Sequence, residues 1–326
     1  MNSREAFRRT MQAANPGRPV FVPIVYRLAA RIEQMPLADM VADPTSYANV
    51  LEGASKLLRS DAIVTNFDPS LEAEIFGCRA DWEGDYDLPA APDWAECDLA
   101  DASLENSGRV PVMLEAIKRL IQTRGREVAI IGGITGPCSL ARNIAGEASQ
   151  DMDYIISMAG AQLARLTRAI GEVKVDAIII REDLLAERYY VELLAHEKAY
   201  TAVYATLLNL TRFYNMTGII MVKAQKMKDL AELGKKLGPG GFILSGQKLN
   251  QTDLAYLKDL SASQKLAVGL PLTLEDPEVV TGQLKTYEDF INQYQPGGFF
   301  YTTDGEVPPG ISLETVHATV SRIKGD

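Results

Sequence analysis

Eleven polar side chains close apolar runs in this chain, and their types suit acid–base and anion-binding chemistry. Arg27 and Arg31 are four residues apart beyond the run "VFVPIV", a spacing that sets two guanidinium groups on one side of a helical turn. Guanidinium forks pair bidentately with planar anions, so the two read as a carboxylate or phosphate clamp. Asp68 and Glu72 follow the second run, and Glu182 and Asp183 follow the fourth. Four carboxylates at strand ends are candidates for general acids or bases, with Asp68, Glu182 and Asp183 expected to act on the reacting group and Glu72 to bind substrate. Lys223 and Gln225 end "IIMVKAQKM", Asn143 ends "GGITGPCSLARN", and Asp304 and Glu306 follow the last run. Lys223 joins the catalytic set, and Asn143, Gln225, Asp304 and Glu306 join the substrate-binding set. Convergence on one mouth makes the functional case, because each residue alone reads equally well as an ion pair or a solvated rim.

Other features carry less. Asp68 precedes a proline that would open a short helix, so it also reads as an N-cap. The arginine pair reads equally as a partner of an acidic stretch nearby. "GGITGPCSLARN" lacks both the GK[ST] ending and the GxGxxG spacing, so it is no phosphate loop and suggests only close backbone approach. Cys138 has no histidine near it in sequence and reads as a buried packing thiol. His196 and His317, the two histidines, fall in helical segments, which argues against a histidine-centred triad or a multi-histidine metal site.

The elements that must position these groups alternate. Short β-branched runs occur at 20–25, 61–66, 128–133, 176–181, 218–223, 241–245, 266–270 and 298–302. They are apolar on both faces, as parallel strands buried between helices and a core are. Segments of helical period follow at 45–60, 108–124, 150–173, 184–215, 227–237, 250–263, 276–294 and 312–325. Eight strand–helix repeats predict a (β/α)8 barrel, one domain over residues 1–326, with a doubly wound sheet as the competitor. Asn2, Asn250, Asp276 and Ser312 stand where N-caps belong. An acidic excursion at 77–107 after the second strand and a loop at 302–311 after the eighth leave the C-terminal ends of strands, the face where such barrels work.

With 326 residues, 47% apolar content and a formal charge of -10, a soluble globular protein is expected and a nucleic-acid surface is not. No run reaches the roughly 18 apolar residues of a membrane span, and the first residues lack a secretion signal's apolar core, so a cytoplasmic address is expected. Three cysteines without a CxxC pair point to reduced, unpaired thiols.

With those residues assembled, the chain resembles the uroporphyrinogen decarboxylase superfamily. The resemblance runs nearly end to end through "NSREAFRRTM", "RPVFVPIVYRLAARI", "DAIVTNFDPSLEAEIFGC", "IGGITGPCSLARN", "VDAIIIREDLL" and "GEVPPGISLETV". It implies a (β/α)8 barrel, in which the decarboxylases use an aspartate for the pyrrole N–H groups and an arginine pair for the carboxylates; Asp68, Arg27 and Arg31 are similar in position. Departures follow, with Asn143 at the decarboxylase tyrosine, Asp183 near its serine and Asp304–Gly305 in place of its histidine–glycine. "DPSLEAEIFGC", "ITGPCSLA" and "GEVPPGISLETV" are closer to the cobalamin-dependent methyltransferase branch. That branch generally holds zinc by a His-x-Cys after strand five and a cysteine after strand eight, where this chain has Lys223, Gln225 and Asp304 to Glu306. No zinc is therefore expected, and no other cofactor motif is recognisable. Lys223 is expected to pair with Glu182 or Asp183; holding a substrate anion and forming a Schiff base are the alternatives.

The resemblance favours a methyltransferase-like enzyme handling a corrinoid-linked or anionic substrate. The alternatives are a decarboxylase of uroporphyrinogen or a related polycarboxylate, and a non-catalytic tetrapyrrole- or corrinoid-binding protein. A small anionic or tetrapyrrole substrate, a corrinoid co-substrate, a corrinoid protein partner and a homodimer are what the family implies.

Overall fold

In the computed structural model the apolar runs become eight parallel strands: β1 Phe21–Ile24, β2 Ala62–Val64, β3 Ala129–Thr135, β4 Ala177–Glu182, β5 Thr217–Val222, β6 Gly241–Leu244, β7 Ala267–Leu272 and β8 Phe299–Glu306. The structure describes residues 1–90, 104, 108–145, 151–182, 194–223 and 227–325. Strands neighbour one another in the order β1-β8-β7-β6-β5-β4-β3-β2, so chain order runs around one sheet and the ends meet. A doubly wound sheet would reverse that order at a switch point, and none occurs here. The result is a nearly closed (β/α)8 barrel.

Register explains where the closure is tight. β1 pairs with β8 through Phe21 and Tyr301, then through Ile24 and Glu306, so four positions on β1 span six on β8. A bulge absorbs the difference, and Gly305 sits there at φ +84°, a left-handed conformation that a side chain would strain. β8 therefore continues through Asp304 and Glu306, where the sequence suggested a loop from 302. Between β1 and β2 the hydrogen bonding runs through the residue just before β2: Asp61 donates its amide to Phe21 O at 2.8 Å, and its carboxylate accepts from Phe21 N at 2.8 Å.

Helices pack outside the strands and cover a core in which nearly every strand residue is buried. Caps form where the sequence placed them. Asn2 accepts from Glu5 N, Asn250 forms a full capping box with Asp253, and Asp276 accepts from Glu278 and Val279 ahead of Pro277. Ser312 occupies the cap position of Leu313–Lys324 without making a side-chain bond. The helix expected over 184–215 is described from Glu197 to Phe213, with His196 at its N-cap rather than inside it; residues 184–193 lie outside the description.

Extra short helices occupy the C-terminal side of the barrel: Tyr26–Ile32 and Leu37–Ala42 after β1, Ser70–Ile75 after β2 and Pro137–Ala145 after β3. They wall the mouth and carry four of the eleven predicted site residues, Arg27, Arg31, Glu72 and Asn143. The described part of the acidic excursion docks beside them, with Leu37 donating its amide to Asp85 O at 2.6 Å. Cys78 at its start is disulfide-bonded to a partner outside the described residues, which corrects the expectation of reduced thiols; Cys138 is free and buried. No described helix is long and apolar enough to cross a membrane.

Candidate active site

Three buried carboxyl networks and one arginine line or back the mouth, and strand alternation decides which faces inward. Successive side chains on a strand point to opposite faces, so Ile179 and Arg181 of β4 share the barrel interior and Glu182 turns outward. Arg181 joins Asn66, Phe67, Asp68, Gly133 and Thr135 around a cleft of about 10 Å³, the scale of one water molecule. Its guanidinium donates to Phe67 O at 3.1 Å and to Thr135 Oγ1 at 3.4 Å, and stacks 4.7 Å from the Phe67 ring centre.

Glu72 lies behind Thr135. Its carboxylate accepts from Thr135 N at 2.7 Å and Thr135 Oγ1 at 2.9 Å, and only 1% of the residue is exposed. Burial pushes its pKa up to about 7, against the pull of Thr135 and of Arg181. A group titrating there suits proton transfer at neutral pH.

Asp68 is engaged on both oxygens. Oδ1 accepts from Ser70 N at 2.8 Å and Ser70 Oγ at 2.7 Å, and Oδ2 accepts from Arg109 Nη1 at 2.5 Å. Arg109 also donates Nε and its amide to Glu74, and lies 5.1 Å from the Trp82 ring centre. Asp68, Glu74 and Glu72 thus leave a single short stretch for different partners. Although burial opposes it, Asp68, Tyr26 and Glu74 hold the Arg109 pKa above its ordinary value.

Glu182 meets the N-terminus of helix Pro137–Ala145. It accepts from Cys138 N at 3.1 Å, Ser139 N at 2.9 Å and Ser139 Oγ at 2.7 Å, and from the Tyr204 hydroxyl. Helix N-termini favour negative charge, but burial still raises this carboxyl's pKa. Gly136 makes the approach possible, since a Cβ there would lie 2.2 Å from the Glu182 carboxyl carbon. The last glycine of "GGITGPC" therefore brings backbone close to a carboxylate of the chain itself.

The remaining predicted residues divide by position. Arg27 donates its amide at 2.6 Å and Nε at 2.8 Å to Glu306, whose pKa burial raises. Arg31 donates Nη1 to Pro309 O and, at 2.6 Å, to Ile311 O, so both arginines hold the end of β8 and the loop beyond it rather than the acidic excursion. Asp304 accepts from Gly246 N at 2.5 Å, joining β8 to the loop after β6. Lys223 is exposed at the end of β5 and is not among the partners of Glu182, so the expected pairing with Glu182 does not form; the other expected partner, Asp183, lies outside the described residues. Asn143 is exposed on the last turn of Pro137–Ala145. Asp183 and Gln225 lie outside the described residues. Sequence reasoning passed over Arg181, Arg109, Thr135 and Tyr204; the one legible signal was a cation ending the apolar run "DAIIIR".

Among the described residues no three His, Cys, Asp or Glu side chains are grouped to hold a metal ion. The donors at the ends of β5 and β8 do not fit a zinc–thiolate centre either: Lys223 is a cation and Asp304 is bound to a backbone amide.

Residues 2–181 match the sequence profile of uroporphyrinogen decarboxylase (URO-D). The chain belongs to the uroporphyrinogen decarboxylase family. Curated relatives of this family member include a methylcobamide:CoM methyltransferase from Methanosarcina acetivorans, 32% identical over 136 residues, and a methylated-thiol–coenzyme M methyltransferase from Methanosarcina mazei, 30% identical over 149. These alignments cover 38% and 43% of this chain and 40% of each relative's length. A solved methyltransferase from Methanosarcina mazei superposes at TM-score 0.77 and 16% identity, covering 100% of this family member and 99% of that chain, a likeness of fold.

Proposed function

We propose that this family member is a methyltransferase-like enzyme that moves a one-carbon group between a corrinoid carrier and a small anionic substrate, without a zinc site. The observation that carries the reading is Arg181, buried on the floor of the mouth cleft beside Asp68. A guanidinium in a low-dielectric cleft binds an anion more strongly than one in water. The cleft of about 10 Å³ leaves room for one small polar group of a bound anion against Arg181.

Thr135 donates to Glu72 and lines the same cleft, so a proton released as the acceptor takes up a methyl cation has a route through Thr135 to Glu72. Lys223, exposed at the rim, would meet the outer part of the bound anion or the carrier. The relatives' names fit this reading, and a corrinoid protein is the partner it requires. The decarboxylase alternative is weaker, because Asp68 would need a free oxygen for pyrrole N–H groups and both are engaged by Ser70 and Arg109.

The test is anaerobic titration with methylcobalamin, followed by tryptophan fluorescence and visible absorbance, with uroporphyrin as competitor. Saturable corrinoid binding that resists uroporphyrin is expected, weakened in Lys223→Ala. Displacement by uroporphyrin, or no corrinoid binding, would overturn the reading.

A further inference from the structure

Outside the barrel wall, at the N-terminal end of the strands, a cavity of about 320 Å³ lies between the outer face of β8, the segment before β1 and the end of helix Pro277–Tyr294. It is separate from the mouth, and its volume falls within the range of small-molecule sites. Pleat alternation sends Phe299 and Tyr301 outward from β8, where their rings meet Phe290 and Tyr287 of that helix. Pro16, Pro19, Ile291 and Pro296 extend the apolar wall. Hydrogen bonds tie two of its sides together: Asn15 donates Nδ2 to Gln295 O at 3.2 Å and accepts from Gly17 N at 2.7 Å.

Two polar side chains decide what can enter. Arg18, the charged residue on the wall, is already engaged, donating to Asp61 at 2.7 Å and to Pro19 O at 2.9 Å. Among the described residues the cavity therefore offers no unmatched charge. Tyr301 is the opposite case. The residue is 3% exposed, and its hydroxyl has no hydrogen-bond partner among the described residues. Nor is that hydroxyl sealed in the interior, as the unpartnered Thr167 hydroxyl is, so the opening it meets is this cavity. The neighbouring charges of Glu288 and Arg322 bond each other at 2.7 and 2.8 Å. Burial first, and then Glu288, raise the Tyr301 pKa, so the hydroxyl keeps its proton and stays a donor. Buried tyrosine hydroxyls ordinarily find a partner, and a buried donor left without one is costly.

We propose that this cavity binds a small uncharged ring compound that presents a carbonyl or similar acceptor to the Tyr301 hydroxyl. Walls of proline and phenylalanine pack flat apolar rings, and a buried donor at their base selects for an acceptor and fixes its orientation. A carboxylate would be desolvated there with Arg18 already held by Asp61, and a ring without an acceptor would leave the Tyr301 hydroxyl unsatisfied.

Ligand-observed NMR titration of the full chain with acetophenone, a ring carrying a carbonyl, and with ethylbenzene, the same ring without one, tests this. Saturable acetophenone binding, tighter than that of ethylbenzene, is expected. Tyr301→Phe keeps the ring and removes the donor, so it should weaken acetophenone about threefold to tenfold and leave ethylbenzene unchanged, which also shows that the variant keeps its fold. Asn292 lines the cavity from an exposed position, and Asn292→Trp should block both ligands by filling the space without touching the core. No saturable acetophenone binding, equal affinity in Tyr301→Phe, or binding undiminished in Asn292→Trp overturns the proposal. None of these readouts involves the mouth, so the result is independent of corrinoid binding.

Discussion

Replacing Glu72 with glutamine should make the protein gain stability relative to wild type as pH rises. The folded carboxyl titrates at about 7 and its ordinary value is 4.5, so the native state holds a proton that the unfolded state gives up over that window. Unfolding therefore becomes easier as pH climbs from 4.5 through 7: the buried group costs nothing below the lower value and its full cost above the upper one. A difference of about 2.5 pKa units corresponds to roughly 3 kcal/mol. Most of it falls between about pH 5 and about pH 8.5, so about 2 to 3 kcal/mol should separate the two ends. Glutamine keeps the shape and an acceptor for Thr135 N while removing the charge. Glu182 and Glu306, whose carboxyls burial also raises, are present in both proteins and cancel in the comparison. Urea unfolding of both proteins at the two pH values reads the effect directly. If the free-energy difference between variant and wild type is the same at both, Glu72 is not held protonated by burial, and its assignment as the proton acceptor behind Thr135 fails with it.

Two further substitutions probe the walls of the mouth. Arg109→Met strands Asp68 and Glu74 without their cation and should lower the unfolding free energy by about 3 to 5 kcal/mol, against which an unchanged urea midpoint would count. Gly136→Ala drives a methyl group into the Glu182 carboxyl and should cost about 1 to 3 kcal/mol; a thermal melt coincident with wild type would show that Glu182 does not depend on that gap.

The strand pattern was readable because parallel barrel strands are apolar on both faces, and the caps because their side-chain chemistry is local. The site was readable only as a set of strand ends. Glu182 and Arg181 are adjacent, and pleat alternation sends the arginine into the cleft and the glutamate toward Ser139 and Tyr204; a run ending "IIIRE" does not say which faces inward. Asp68 reads equally as a cap and as a functional acid, and its Ser70 contacts are those of a cap. Arg109 is 41 residues away, beyond the excursion, and no periodicity connects it to Asp68. The bulge at Gly305 likewise depends on how β8 fits β1, a matter of tertiary closure rather than of local sequence.

Seven strand pairings zip the barrel, and among the described residues the eighth junction has no ladder of its own. Open sheet borders recruit foreign strands, and proteins guard them with charge. Here the guard is internal. Asp61 satisfies both the amide and the carbonyl of Phe21 from the flank of β2, and the ammonium of Lys324 clasps the same carboxylate from the last turn of the final helix. A residue at the far end of the chain thereby helps protect the border between its first two strands from self-association.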